Sequence, residues 1–472
     1  MERKNAWLSY DAAQKEKLNE LCERYKTFIT RGKTERECVD QAVEAAEKAG
    51  FISLEKARKK GKKLKAGDKV YDTIMGKSMV LFTIGTAPIS EGMNILGAHI
   101  DSPRLDLKQN PLYEDTDFVL LDTHYYGGIK KYQWVTIPLA IHGVVAKKDG
   151  SAVKVVIGED PDDPVLCITD LLIHLSADQM KKSGATVIEG EDLNLLIGSE
   201  VVEKKDEDEK KPKKGEKKDP KGNVKDNILK ILKDKYDIEE EDFLSAELEV
   251  VPAGPARDLG LDRSMILGYG HDDRICAFTS LEAMLNVKKP EKTAVCLLVD
   301  KEEIGSVGAT GMHSRFFENA VAEVMDLCGQ YSELELRRAL RNAKMLSSDV
   351  SAAYDPNYAG VNERKNTAYF GRGLVFNKYT GSRGKSGSND CSAEYFAEVR
   401  RIMDDAGVFW QTAELGRVDQ GGGGTIAYIA GNYGMNVVDA GIAVLSMHAP
   451  CEAASKADIY EAVKGYEAFL KA

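Results

Sequence analysis

From Ala294 to Val299 the chain is apolar without a break, and it then turns polar through Asp300-Lys301-Glu302-Glu303. A short continuous apolar run of this kind predicts a strand covered on both faces of a parallel sheet. The same texture at Ser78 to Thr83, Asn94 to His99, Lys344 to Asp349 and Val437 to Met447 predicts further strands, the last ending at His448. Between them the period changes to that of a helix. Leu18, Leu21, Tyr25 and Phe28 recur at helical spacing, as do Cys38, Ala42, Ala45 and Ala49 after Arg31-Gly32. Ile275, Phe278, Leu281 and Leu285 predict one apolar helix face, and Ile459, Val463, Tyr466 and Leu470 a terminal amphipathic helix. The expected fold class is therefore α/β: a mixed, mostly parallel sheet with helices on both faces.

One block breaks this rhythm. From about Asp106 to about Val250 short alternating strands take over, as in Ile137, Leu139, Ile141 and in Val153, Val155, Ile157. Period-two alternation predicts a mostly antiparallel sheet or small barrel. Residues 1–105 with 251–472 read as one domain, and 106–250 as a mainly β domain inserted into it.

Composition narrows the functions open to such a chain. Its 472 residues allow two or three domains with a large core. A formal net charge of −11 argues against general affinity for nucleic acid or anionic membranes. The amino terminus lacks the apolar core of a signal peptide, and no segment approaches about 18 uninterrupted apolar residues, so a cytoplasmic protein is expected. Within the inserted block, residues 203–222 are almost all charged. Interleaved acids and missing aromatics favour a solvated loop there over a nucleic-acid patch.

Eight cysteines are scattered without a CxxC pair, several of them inside apolar runs. That predicts reduced, packed thiols and argues against disulfides and against a thiolate zinc site. Any metal must then be held by His, Asp and Glu, and there are only seven histidines to search. Several predicted elements carry such residues at their ends: His99 and Asp101, Asp272 and Asp273, Glu302 and Glu303, Asp349, and His448. Each alone has a plain reading, a satisfied polar histidine or a helix-capping aspartate. Neighbouring carboxylates at a strand end are costly to desolvate without a cation, so their recurrence at one sheet edge points to a metal centre. Gly305, Gly308 and Gly311 allow the backbone to approach it closely.

The segments GAHIDSPRLDLK, GHDDR, VDKEEIGSVGATG, SSDVSAAYDPNY and LSMHAP, in this order, resemble the motif set of the aspartyl aminopeptidase family, within the two-metal zinc exopeptidases. The resemblance runs from about His99 to the C-terminus and fits the inserted block only loosely. It implies that His99 and Asp349 hold one metal, Glu303 and His448 the other, and that Asp272 bridges them. Two imidazoles and three carboxylates divide in the same way on chemical grounds, with a position left open for water. Glu302 is then the general base, and Asp101 the carboxylate that fixes the His99 tautomer. Asp273 is expected to cap the following helix.

By the same resemblance Lys378 contacts an acidic substrate side chain, with Arg383 and Lys385 close by and a plain surface loop as the alternative. His174 resembles the family's histidine that enters a neighbouring subunit's site, and a buried core histidine is the alternative. The implied protein is a homo-oligomer, a dodecamer built from dimers, acting on short peptides. Two divalent ions are implied, zinc foremost, with manganese and cobalt suited to the same ligands. Departures from the family pattern, HDDR at 271–274 and the Gly421 to Gly424 run, bear on the pocket more than on the metals. Two other readings stay open: a two-metal carboxypeptidase or deacylase, and a noncatalytic self-assembling scaffold.

Overall fold

Four parallel strands organise the larger part of the chain: Thr293–Val299, Met93–His99, Lys344–Ser347 and Asn436–Gly441, in that spatial order. Ser78–Thr83, Lys69–Ile74 and Ile52–Ser53 extend the sheet beyond Thr293–Val299, and Leu374–Asn377 and Trp410–Thr412 extend it on the other side. This is a computed structural model, and it describes residues 3–202 and 224–472. The charged run at 203–222 therefore lies outside the described residues. The chain divides into two units, Met1–Ser102 with Pro255–Ala472, and Pro103–Gly254.

The apolar runs are explained by the packing of the first unit. Alternate residues of one strand enter different cores: Cys296 and Leu298 pack with the helices Ala12–Arg31, Glu35–Lys48, His271–Asn286 and Lys456–Lys471, while Val295 and Leu297 pack with Phe316–Leu327 and Glu333–Asn342. Each fully buried aliphatic side chain contributes roughly 1.5–3 kcal/mol, so a strand covered on both faces carries few polar positions before it ends, and those inside, such as Asn94 and Asp439, have hydrogen-bond partners. The polar residues consequently gather at the carboxyl ends. The helix His271–Asn286 was expected to show one apolar face; it is buried on nearly every side, because the sheet and the terminal helix both cover it.

A second sheet in this unit was not foreseen. It runs Arg257–Leu259, Met265–Gly268, Glu452–Ser455, Ala443–Leu445, Ser351–Ala352. The segment read as one strand from Val437 to Met447 is two, because the chain leaves the first sheet after Gly441 and joins the second at Ala443. Gly441 marks the transfer: a Cβ there would stand 1.7 Å from the Asp349 carbonyl oxygen.

The second unit holds one six-stranded sheet whose pairings are all antiparallel, ordered Ala152–Ile157, Leu139–Ala146, Ala246–Pro252, Arg104–Asp115, Phe118–Tyr126, Leu195–Gly198. His174 sits in a short turn, Ile173–Leu175, and is exposed, so the alternative of a buried core histidine does not hold. Leu172, Ile173 and Leu175 beside it are exposed as well. No helix among the described residues is long and apolar enough to cross a membrane. All eight cysteines are free.

Candidate metal centre

His99 ends its strand with its ring fully buried, and two hydrogen bonds decide how the ring is used. Its Nδ1 faces the Asp101 carboxylate at 3.2 Å, which holds a proton on Nδ1 and makes Nε2 the nitrogen that would give up its proton to bind a metal. Nε2 points at three carboxylates: Asp272 Oδ1 at 3.3 Å, Glu302 Oε2 at 3.9 Å and Asp349 Oδ1 at 4.0 Å. On the other side His448 Nε2 lies 3.1 Å from Asp272 Oδ2 and 3.5 Å from Glu303 Oε1. Asp272 thus offers one oxygen to each imidazole.

Asp101 does more than orient His99. Its two oxygens accept the backbone N–H groups of Glu302 and Glu303, at 3.1 and 3.2 Å, so one buried carboxylate locates three functional residues. Asp273 does not cap its helix, as had been expected; its carboxylate accepts the His99 backbone N–H at 3.2 Å. Arg274, the last residue of the HDDR segment, is fully buried and donates to the carbonyls of Ile100 and Lys33, which fixes the turn after His99.

The electrostatics identify what is missing. Burial first, then the Asp272 charge, pushes Glu303 well above the ordinary glutamate range. Burial, then Asp273, does the same to Asp349. Burial raises Glu302 to about 7. Burial opposes ionisation of Asp272 too, yet the hydrogen bonds from His448 and His99 outweigh it and hold this carboxyl well below its usual range. No Lys or Arg lines the cavity of about 460 Å³ onto which these groups open. Glu303 Oε1 is buried and accepts no hydrogen bond.

That arrangement fits divalent cations. Ligands at zinc-to-oxygen and zinc-to-nitrogen distances of about 2.1 Å in a tetrahedron stand about 3.4 Å apart, close to the 3.1 to 4.0 Å separations found here. The sets His99–Glu302–Asp349 and His99–Asp272–Glu303 each place one donor atom per residue within 4.8 Å of the others. His99, Asp101, Asp272, Glu302, Glu303, Asp349 and His448 therefore converge, although they leave from two sheets and not from one edge of a single sheet.

Lys378 does not join them. Its side chain is half exposed, with Nζ 4.0 Å from Asp390, whereas the preceding residue, Asn377, lines the cavity. His174 belongs to the second unit and is absent from the cavity lining.

Two carboxylates escaped the sequence reading. Glu452 is buried and binds both halves of the site, accepting the Asp272 N–H at 3.0 Å and the His448 N–H at 2.7 Å. The His448 backbone is left-handed, φ 65°, and this bond holds it there. Glu452→Gln is expected to weaken metal retention and activity about 10–100-fold, the usual loss when a ligand's support is removed. Metal analysis after dialysis, together with peptide turnover, checks this; unchanged metal content would show that Glu452 does not position the ligands. Asp439 is the second, buried in the cavity wall, with Oδ1 held by Thr425 at 2.6 Å and Oδ2 without a hydrogen bond. An acid four residues past His448, or inside an apolar strand, is the only sequence signal for either.

The family described as aminopeptidase I zinc metalloprotease (M18) matches residues 28–470. The probable M18 family aminopeptidase 1 of Clostridium acetobutylicum is 62% identical over 469 residues, 99% of this chain and 98% of its own. A crystal structure of aminopeptidase I from Clostridium acetobutylicum superposes with a TM-score of 0.89 at 58% identity, over the full length of both chains. An M18 aminopeptidase structure from Thermotoga maritima gives 0.91 at 42% identity, covering 100% of this chain and 99% of its own. The Saccharomyces cerevisiae mApe1 dodecamer, at 20% identity, has a TM-score of 0.74 and covers 95% and 96% of the two chains.

Proposed function

The chain belongs to the M18 family of zinc metalloaminopeptidases, and from that premise we propose that it releases the N-terminal residue of short peptides at the centre formed by His99, Asp272, Glu303, Asp349 and His448, with Glu302 as general base. The observation that carries this is the division of Asp272 between the two imidazoles, Oδ1 toward His99 and Oδ2 toward His448. His99 and Asp349 would hold one ion and Glu303 and His448 the other. Two divalent ions so held supply Lewis-acid polarisation of a scissile carbonyl and acidify water.

The protein's own groups then have defined tasks. Glu302 keeps 17% of its side-chain surface exposed against 4% for Glu303. It is therefore the acid of the pair that reaches substrate, takes a proton from the attacking water and returns it to the departing amine. Asp101 holds its backbone in place for both transfers. An N-terminal ammonium entering the cavity meets acceptors and no competing Lys or Arg. The cavity offers no Lys or Arg to pair with a C-terminal carboxylate, which favours aminopeptidase over carboxypeptidase. Glu302 has no use in a scaffold.

Acidic N-terminal residues were expected from Lys378, and the geometry supports a different preference. The cavity wall bears Asn377, Val350, Leu415 and Met447, with no Lys or Arg, so an uncharged first side chain suits it better than Asp or Glu. Zinc remains foremost among the suited ions, with manganese and cobalt next. The Saccharomyces cerevisiae mApe1 dodecamer shares this fold, and a homo-oligomer is the proposed state. His174 and its exposed apolar neighbours on the second unit suit a contact between subunits.

The test is release of free amino acid from unblocked and acetylated di- and tripeptides by metal-stripped protein reloaded with zinc, manganese or cobalt. Metal-dependent release from free N-termini, faster for Leu or Ala than for Asp or Glu, is expected. Faster release of Asp or Glu would return the specificity to a basic residue. Equal cleavage of acetylated peptides would favour the deacylase reading, and no release with any metal the scaffold.

A further inference from the structure

Away from the metal cavity, a second cavity of about 620 Å³ is lined by Arg3, Arg364, Lys365, Arg372 and Arg400, with Trp410 in its wall and no Asp or Glu in its lining. Its volume falls within the roughly 300–1,000 Å³ typical of small-molecule sites. In a chain of net charge −11 this is a marked concentration of cations. Among the described residues, Arg3, Lys365, Arg372 and Arg400 take part in no salt bridge.

Arg364, Lys365 and Arg400 are exposed, and three of the five cationic side chains have ring or hydrogen-bond partners that orient them. The Arg3 guanidinium stacks over the Trp410 ring at 3.7 Å, and that of Arg400, from the helix Ala393–Asp405, stands 6.0 Å from the same ring. Arg364 donates to the Tyr354 hydroxyl at 2.8 Å. Arg372 lies between Gly371 and Gly373, whose N–H groups both donate to the buried Asp458 carboxylate, at 2.9 and 2.7 Å. The Gln411 amide brackets Tyr369, accepting its N–H at 2.9 Å and donating to its carbonyl at 2.8 Å. The Ala6 N–H bonds to the Gly371 carbonyl at 2.8 Å, which docks the segment that bears Arg3.

Holding like charges around one cavity costs free energy that an anion of several charges offsets. Planar guanidinium forks match phosphate oxygens in pairs. We propose that this cavity binds a polyphosphate chain, free or carried on a nucleoside, at a site separate from the metal centre. A single carboxylate would leave most of the cationic charge uncompensated.

The experiment is titration calorimetry of the metal-loaded, full-length protein in its native assembly, with inorganic triphosphate in one arm and ATP in the other. The comparison is with an Arg372→Ala/Arg400→Ala variant. Expected are one ligand per subunit, affinity falling as salt rises, and at least tenfold weaker binding in the variant, which retains wild-type peptide release. Lys365→Glu, at an exposed position, is expected to weaken binding in the same direction should the double variant fail to fold. Equal affinities for triphosphate and ATP assign recognition to the phosphates, and tighter ATP binding adds a contact to the ring system; both support the site. Absence of binding, or equal affinity in wild type and the folded variants, which would place the anion at the metal centre, overturns it.

Discussion

Glu302→Gln is expected to abolish most turnover while leaving the metals in place. Gln keeps the shape and the backbone bond to Asp101 but has no carboxylate to take a proton. General-base catalysis contributes about 10²- to 10⁴-fold, so kcat should fall by that factor, or about 2.7–5.5 kcal/mol in barrier. KM should change by no more than a few-fold, because the cavity wall is intact. The measurement is steady-state kinetics on an unblocked dipeptide beside metal content per subunit. It separates two assignments that the geometry brings close, since Glu302 Oε2 also lies 3.9 Å from His99 Nε2. A drop in bound metal would make Glu302 a ligand, and Glu303 would then have to be tested as the base by the same substitution. Unchanged kcat with full metal content would remove the general-base role altogether.

The parts of the site that were legible beforehand share a cause. A parallel sheet buried on both faces gathers most of its polar residues at strand ends, so His99, Glu302, Glu303 and Asp349 stand out against apolar runs. What could not be read depends on where the chain changes sheet. Val437 to Met447 looks continuous because both pieces are apolar, and the break after Gly441 arises from the approach of the Asp349 carbonyl, a contact nearly a hundred residues distant in sequence. His448 stood out as a candidate ligand, but its route through the second sheet did not. Glu452 was missed for the same reason, since its bonds to Asp272 and His448 exist only when that sheet forms. The misplacement of Lys378 is a matter of one residue. Asn377 ends its strand in the cavity wall, and Lys378, the first residue beyond it, lies half exposed near Asp390.

Asp272→Ala should be the most damaging single change to the metals, because the two Asp272 oxygens lie 3.3 and 3.1 Å from the two imidazoles. The remaining ligands divide into pairs too sparse to hold an ion each, so the variant is expected to retain less than one metal per subunit and to lose activity that excess zinc does not restore. A bound ion stabilises the native state by RT ln(1 + [L]/Kd), about 2.7 kcal/mol at a hundredfold excess over Kd. The wild-type Tm should therefore rise on metal addition and the variant's should not. Metal-free, the two should melt within a few degrees of each other. The lost bonds to His99 and His448 are offset by relief of the repulsion that Asp272 exerts on Glu302, Glu303 and Asp349, each of which its charge helps to push up. That comparison distinguishes loss of the centre from loss of the fold. A variant that binds two ions and shifts its Tm as wild type does would show that Asp272 is no bridge, whereas one that melts far below metal-free wild type would make the residue structural. Asp272→Asn, which keeps one acceptor oxygen, should fall between, with one ion retained and turnover still lost, because a centre built on a shared carboxylate works only when both of its oxygens are engaged.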